Sequence, residues 1–192
     1  ELRNCGQAPR YGVIHRLDKD TSGVILIAKT DEALIFFQKQ FKTRAVIKTY
    51  IALVHGIIKE NSGMIKGLMT RGKDGKKQIL LSSFIPKPGL RESKTYWKVF
   101  KRFASYTLVF ARPKTGRKHQ IRVHLASIGN PIVGDKTYSF KNHIVPEGLQ
   151  RQFLHSFKLI IKGMDGSTLS FIAPLPEELK TILNNLKTYE TD

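Results

Sequence analysis

The residues best suited to chemistry lie in HRLDKDTSG, His15 to Gly23. Asp18 stands two positions after Arg16. In an extended segment, side chains two apart point to one face, so Arg16 and Asp18 share a face and His15 and Leu17 the other. A carboxylate beside guanidinium groups in a strongly basic protein is a candidate reactive group. The same spacing also describes a plain salt bridge between Asp18 and Arg16 or another arginine. Tyr50 could equally be a core strand aromatic and His155 a satisfied buried histidine. Spacing alone makes none of them catalytic.

Several common chemistries are excluded. TRGKDGKKQ lacks the spacing of a phosphate-binding G-x-x-x-x-G-K-[ST], and no G-x-G-x-x-G occurs. His119 and His124 are five apart, roughly 140° around a helix, which is not the i, i+4 zinc pair. Ser22 precedes Gly23, but no G-x-S-x-G hydrolase elbow is present. The one cysteine, Cys5, excludes an intrachain disulfide and a Cys-rich metal site, and fits a reducing cytoplasm.

Charge narrows the partner. The 192 residues carry 33 Lys and Arg against 15 Asp and Glu, a formal charge of +18. Solubility is served by ~2–8 net charges. The excess points to a polyanion, and RNA or DNA fits better than a membrane. No basic amphipathic helix dominates, and no apolar run reaches the ~18 residues of a spanning helix. From Ser93 to Gly134 there is no acid, while Lys94, Lys98, Lys101, Arg102, Arg112, Lys114, Arg117, Lys118 and Arg122 are cationic. A solvated basic face accounts for some of these, but a well-mixed surface would contain acids, so the run is read as phosphate-binding. A helix N-terminus near Arg117 would add backbone N–H groups for a phosphate.

These residues need elements to position them. VILIAK, residues 24–29, predicts a buried strand. Thr30 and Asp31 predict a helix start, with Leu34, Phe37 and Phe41 on one face. Tyr50 to Val54 predicts the next strand, closed by Gly56. Residues 59–92 carry KENSG, TRGKDGKKQ and PKPG, and predict a long solvated connection holding short strands. Thr95 to Phe103 and Tyr106 to Arg112 alternate as a hairpin around Ala104-Ser105. Pro113 ends it, and Lys114 to Arg117 form a loop into a helix bearing Ile121, Leu125 and Ile128, with Gly129 just past its end. PIVGD is a turn and residues 139–152 a loop. Phe153 to Ile161 and Leu169 to Ile172 are strands around the MDGS turn. Pro176 opens a last helix with Leu179, Ile182, Leu183 and Leu186 on one face. No internal repeat occurs. Strand runs interleaved with only three helices predict an α+β fold.

HRLDKDTSGVILIAKT, KTY at Lys48 to Tyr50, and TGRKHQIRVHLASIGNPIVGD from Thr115 to Asp135 together resemble the RluA-like family of pseudouridine synthases. FLHSFKLII and FIAPLP look like that family's closing strands, so the resemblance spans about residues 11–176. It implies a mixed, mainly antiparallel sheet with flanking helices and a central RNA-binding cleft. It also implies an enzyme that breaks the N1–C1′ bond of uridine in RNA, rotates the base and rejoins it through C5, without metal or cofactor. Asp18 matches the essential aspartate, which attacks the sugar or base covalently or assists a glycal intermediate. Arg122 matches the arginine that would hold Asp18 ionised and aimed.

Tyr50 matches the tyrosine that stacks on the base and is placed to remove the C5 proton. As a base, a phenol needs help from nearby cations. Leu154 matches an apolar wall beside the base. Arg16 matches a residue that fills the space left by a flipped uridine. Lys48, Arg117, Lys118, His119 and Gln120, with His15 and Thr21, would bind phosphates and sugars around the site. Lys118 stands where the family often has Thr or Ser. The implied substrate is ribosomal RNA, with transfer RNA next, and the implied state is a cytoplasmic monomer with no membrane contact. The alternative is a non-catalytic RNA-binding module of this fold. The family's upstream NKP-x-G strand and N-terminal RNA-binding domain have no counterpart before His15, so residues 1–192 read as a catalytic-domain fragment.

Overall fold

A computed structural model describes residues 5–6, 11–72, 75, 77–81, 85, 88–140 and 142–189. The elements in chain order are β1 (Ser22–Gly23), α1 (Asp31–Lys42), β2 (Ile47–His55), β3 (Ser62–Arg71), β4 (Gln78–Leu81), β5 (Arg91–Arg102), β6 (Tyr106–Pro113), α2 (Gln120–Ser127), β7 (Leu154–Lys162), β8 (Thr168–Ile172) and α3 (Glu177–Asn184). The strands form one eight-stranded sheet ordered β1-β7-β2-β6-β5-β3-β4, with β8 also against β7. β1 runs parallel to β7 and the other pairings are antiparallel. This is the expected α+β class.

The helices start and stop for local reasons. Thr30 caps α1, its hydroxyl accepting from the Ala33 N–H at 3.2 Å. Phe37 and Phe41 pack on the small core of Val46, Leu159 and Ile161, which ties α1 to the sheet. α2 ends at Gly129, whose φ of +83° suits a residue without Cβ. Leu186, expected on the last helical face, lies just past α3 but still packs on the main core. That core includes Leu53, Val54, Val109, Leu125, Ile132 and Phe153, all fully buried.

Two expectations are corrected. Residues 24–29 are extended but not a buried strand. Ile25 and Ile27 are exposed, and the segment bonds irregularly to residues 12–14, with Val13 bridging Ile27. An apolar run marks burial only where both faces are covered. Residues 59–92 are not mainly a loop. β3 is ten residues long and pairs with β5 from Ser62–Lys98 to Met69–Arg91. Gly63, read as turn chemistry in KENSG, and Gly67 instead admit close neighbours. A side chain at Gly63 would strike the Trp97 indole and one at Gly67 would strike Leu80. The turn residues Lys73, Asp74, Lys76, Pro86 and Lys87 lie outside the described residues. β2 begins three residues earlier than expected, at Ile47, and so carries both Lys48 and Tyr50.

Candidate active site

The stretch around Asp18 is held by hydrogen bonds from residues 151–156. The Gln152 amide donates to the Lys19 carbonyl at 3.0 Å and to the Thr21 hydroxyl at 2.7 Å. Arg151 donates to the Asp20 carbonyl at 3.0 Å. β1 then joins β7, with Ser22 opposite His155 and Gly23 opposite Ser156. A side chain at Gly23 would collide with the Ser156 carbonyl, so only glycine lets the two backbones approach. His155 is satisfied, as one of the two sequence readings had it. Its ring nitrogens meet the Ser22 hydroxyl at 2.9 Å and the Ala173 carbonyl at 3.0 Å.

Asp18 lies in a cleft of about 290 Å³. Among the described residues it is the only carboxylate lining that cleft. Tyr50 and Leu154 stand on adjacent strands β2 and β7, and Ile121 of α2 closes the apolar side. The cations there are Arg16, Lys48, Arg117 and Lys118. Arg16 lines the same cleft but is exposed and makes no ion pair with Asp18, so the reading of a salt bridge between those two is corrected by the fold. The partner is Arg122, whose Nη1 is 3.7 Å from an Asp18 oxygen.

Arg122 is itself fixed from behind. Its Nε and Nη2 donate to the two Asp135 oxygens at 2.6 and 2.8 Å, and Nη2 also to Thr137 at 3.0 Å. The Asp135 carboxylate is fully buried. The guanidinium carbon sits 5.2 Å over the Tyr138 ring. Burial works against the Arg122 charge, yet the Asp135 hydrogen bonds and the Asp135 and Asp18 carboxylates hold its pKa above the usual range. A bidentate pair leaves the planar fork one orientation, and the free Nη1 then faces Asp18. The Tyr138 hydroxyl accepts from the Gln78 N–H at 2.8 Å and meets His119 Nδ1 at 2.9 Å, which connects β4 to the same support.

Other expected residues divide into walls and braces. The His15 ring stacks on Phe41 at 4.6 Å and accepts from the Leu26 N–H at 3.0 Å. Burial, then the Lys48 charge, pushes its pKa down to about 4, so it is neutral near pH 7. Burial also lowers the Lys48 pKa. Tyr50 is pushed up to about 12 by burial, eased by a hydrogen bond with Ser156 and raised further by Asp18. Gln120 is buried and spends its amide inside the protein. Its oxygen accepts from Thr115 at 2.6 Å and from the Arg117 N–H at 3.0 Å, and its nitrogen donates to Lys94 and Thr95. It braces the 115–117 loop. His119 is the N-cap residue of α2, in the left-handed region at φ 56°; its Nδ1 meets the Tyr138 hydroxyl, and burial, then the Arg122 charge, lowers its pKa, with Asp18 opposing. The Arg117 N–H, expected to be open to a phosphate, is taken by Gln120, while its Nε donates to the Glu92 carbonyl at 3.0 Å.

Sequence reasoning missed Asp135, Thr137 and Tyr138, and read PIVGD only as a turn. A signal existed: Asp135 is the first acid after the acid-free run from Ser93, thirteen residues downstream of Arg122, which must be neutralised if buried. It also missed Phe41 as a cleft wall and Ser156 as the Tyr50 partner. Among the described residues no group of three or more His, Cys, Asp or Glu could hold a metal ion, and no helix is long and apolar enough to cross a membrane.

Comparison with known proteins supplies the context. The family described as RNA pseudouridylate synthase matches residues 1–127. The chain is 37% identical over 191 residues to an uncharacterised RNA pseudouridine synthase of Bacillus subtilis, YlyB, covering 97% of this chain and 59% of that protein. It is 37% identical over 185 residues to ribosomal large subunit pseudouridine synthase D of Borreliella burgdorferi, covering 95% of this chain and 54% of that protein. The chain therefore spans little more than half the length of these relatives. The solved structure of human RNA pseudouridylate synthase domain containing 1 superposes with a TM-score of 0.77 at 30% identity, covering 85% of this chain and 69% of that one.

Proposed function

The chain belongs to the RNA pseudouridylate synthase family, and on that premise we propose that it isomerises uridine to pseudouridine in structured RNA. The observation that carries this is the single cleft carboxylate, Asp18, facing an arginine locked by a buried aspartate. An ionised carboxylate in a water-poor cleft needs a fixed opposite charge, and the Asp135–Arg122 pair supplies one that cannot drift. A uridine flipped into the cleft lies between the Tyr50 ring and Leu154. The carboxylate of Asp18 acts at the glycosidic carbon or its neighbour. The N1–C1′ bond breaks, the base turns, and the C5–C1′ bond forms. The C5 proton leaves and N1 gains one, so the product is an isomer.

Tyr50 enters this reaction as a neutral phenol, because burial opposes its ionisation. Its ring stacks on uracil in that state. To take the C5 proton it must first ionise, and Lys48, two residues along the same strand face, is the cation placed to favour the phenolate. Arg16, Arg117 and Lys118 meet the phosphates around the target.

We assign the substrate to large-subunit ribosomal RNA, the substrate that the name of the Borreliella relative implies, with transfer RNA second. Residues 1–192 act as a catalytic domain, as a monomer in the cytoplasm and without metal. The test is release of tritium from RNA labelled at uridine C5. Release by the wild-type protein, abolished in Asp18→Asn, is expected. RNA binding with no release by the full-length protein would reduce it to a non-catalytic binding module.

A further inference from the structure

The acid-free run from Ser93 to Gly134 does not all serve the cleft. The fold divides it between the two faces of the sheet. Strand partners that lie directly opposite share a face, so the register sorts the side chains. Tyr50, Ala111, Trp97 and Gly63 are in register and belong to the cleft face. The next row, Ile51, Phe110 and Lys98, points to the opposite face. Arg112 and Tyr96 follow on that face, as do Lys158 and Ile172. Lys98, Phe100 and Arg112 are exposed.

This opposite face is apolar and cationic together. Phe100, at a β-bulge, is 64% exposed, and its ring meets Phe110 at 5.2 Å edge-on. Phe110 is in turn 6.1 Å from Phe157. Lys94 sits 4.8 Å over the Tyr96 ring. Among the described residues of β2, β5, β6, β7 and β8 on this face, the one acid is Glu92, at the start of β5 two residues before Lys94. An exposed aromatic row carries no energetic advantage in water, and a partner that is merely apolar would not explain the interleaved Lys and Arg. Flat rings between cations on the exposed part of this face, beyond the buried Leu53 and Leu108, match a strand of unpaired nucleotides. Bases stack on the rings, and phosphates meet the cations.

We propose that the sheet face opposite the cleft is a second RNA-binding surface. On it, unpaired nucleotides flanking the target stack on Phe100 and Tyr96 while Lys98, Arg112 and Lys158 hold their phosphates. This rests on the reading that the substrate is RNA. It assigns a separate task to the cations that cannot reach Asp18, and it enlarges the footprint without enlarging the cleft.

The experiment titrates the full chain with a single-stranded uridine oligomer of about a dozen nucleotides, at low and high salt. Phe100→Ala should weaken binding about fivefold or more. Lys98→Glu with Arg112→Glu should weaken it about tenfold and lower the slope of log affinity against log salt by roughly 1.4. Ile35→Ser, at an exposed position of α1 away from both surfaces, should leave both unchanged. Wild-type binding that none of the surface variants alters overturns the proposal and leaves the cleft reading standing. A change in sedimentation with unchanged RNA affinity also overturns it, because a protein would then be the occupant. Failure of the wild type to bind RNA, or to release tritium, instead sinks the reading beneath it. Should a variant fold poorly, crosslinking of the wild type to a 4-thiouridine oligomer decides the matter. A crosslinked peptide containing residues 96–100 supports the surface; crosslinks confined to cleft peptides exclude it.

Discussion

The two faces of the central sheet are built from alternate residues of the same strands, yet they solve opposite problems. The cleft face places its charges in pairs and layers. Asp18 meets Arg122, and Arg122 is clamped by a buried Asp135. The opposite face leaves Lys98, Arg112 and the Phe100 ring open to solvent. The difference teaches how one basic sequence run serves two purposes. Where chemistry needs one orientation, the cation is desolvated and held by a bidentate carboxylate. Where a flexible polyanion must be gathered, cations stay solvated and movable, and their worth falls with salt.

The sharpest break in this contrast is Asp18→Asn. On the proposed mechanism, which makes Asp18 the nucleophile or glycosidic-bond catalyst, it should lower turnover by about 10³-fold or more, with RNA affinity within about twofold. Single-turnover assays beside filter binding measure both. Retained turnover would remove Asp18 from the mechanism.

Next in size is Asp135→Ala. It leaves Arg122 buried without its main partner and should cost about 3–5 kcal/mol of stability, read as a lower urea midpoint with unchanged m-value. Arg122→Lys retains the charge but not the fork, so it should lose turnover by more than it loses stability. Equal losses would mean that Arg122 is only structural.

Acid should act through the buried histidines. His15, His55 and His124 are each pushed down to about 4, chiefly by burial. A folded-state pKa below the unfolded value of ~6.5 means that the neutral ring is the one the fold accepts. Their contribution is complete above pH ~6.5 and is lost as pH falls toward 4. Urea midpoints should therefore drop between those limits, and His15→Gln should make the drop shallower. A pH-independent midpoint would show that these rings are solvated.

The smallest effect is expected on the open face. Phe100→Ala removes an exposed ring and should change stability by no more than ~0.5 kcal/mol. A larger thermal shift would mean that Phe100 is a packing residue, and the contrast between the faces would weaken.

Much of the site was legible in the chain. Asp18, Tyr50 and Arg122 were named from three separate motifs, and the fold brings them to one cleft wall or its support. Helix α1 was legible because Thr30, Asp31 and the Leu34–Phe37–Phe41 spacing are local signals. β3 was not, because its glycines mark close approach by Trp97 and Leu80, which no local pattern reports. Gln120 and His119 were named as substrate contacts. The fold turns one inward to brace a loop and the other toward Tyr138, since orientation depends on distant partners.

The sequence by itself determined the charge excess, the placement of the Asp18 carboxylate among cationic residues, and the α+β alternation, because these follow from residue type and short-range period. Residue spacing left open which arginine faces Asp18, the family resemblance pointed to Arg122, and the tertiary structure shows the pair and the physical reason for it. Arg16 is two residues away and stays in solvent, while Arg122 arrives from α2 already oriented by Asp135. Burial makes the difference. A charge removed from water must be matched and hydrogen-bonded, and only the packed fold determines which charges lose their water.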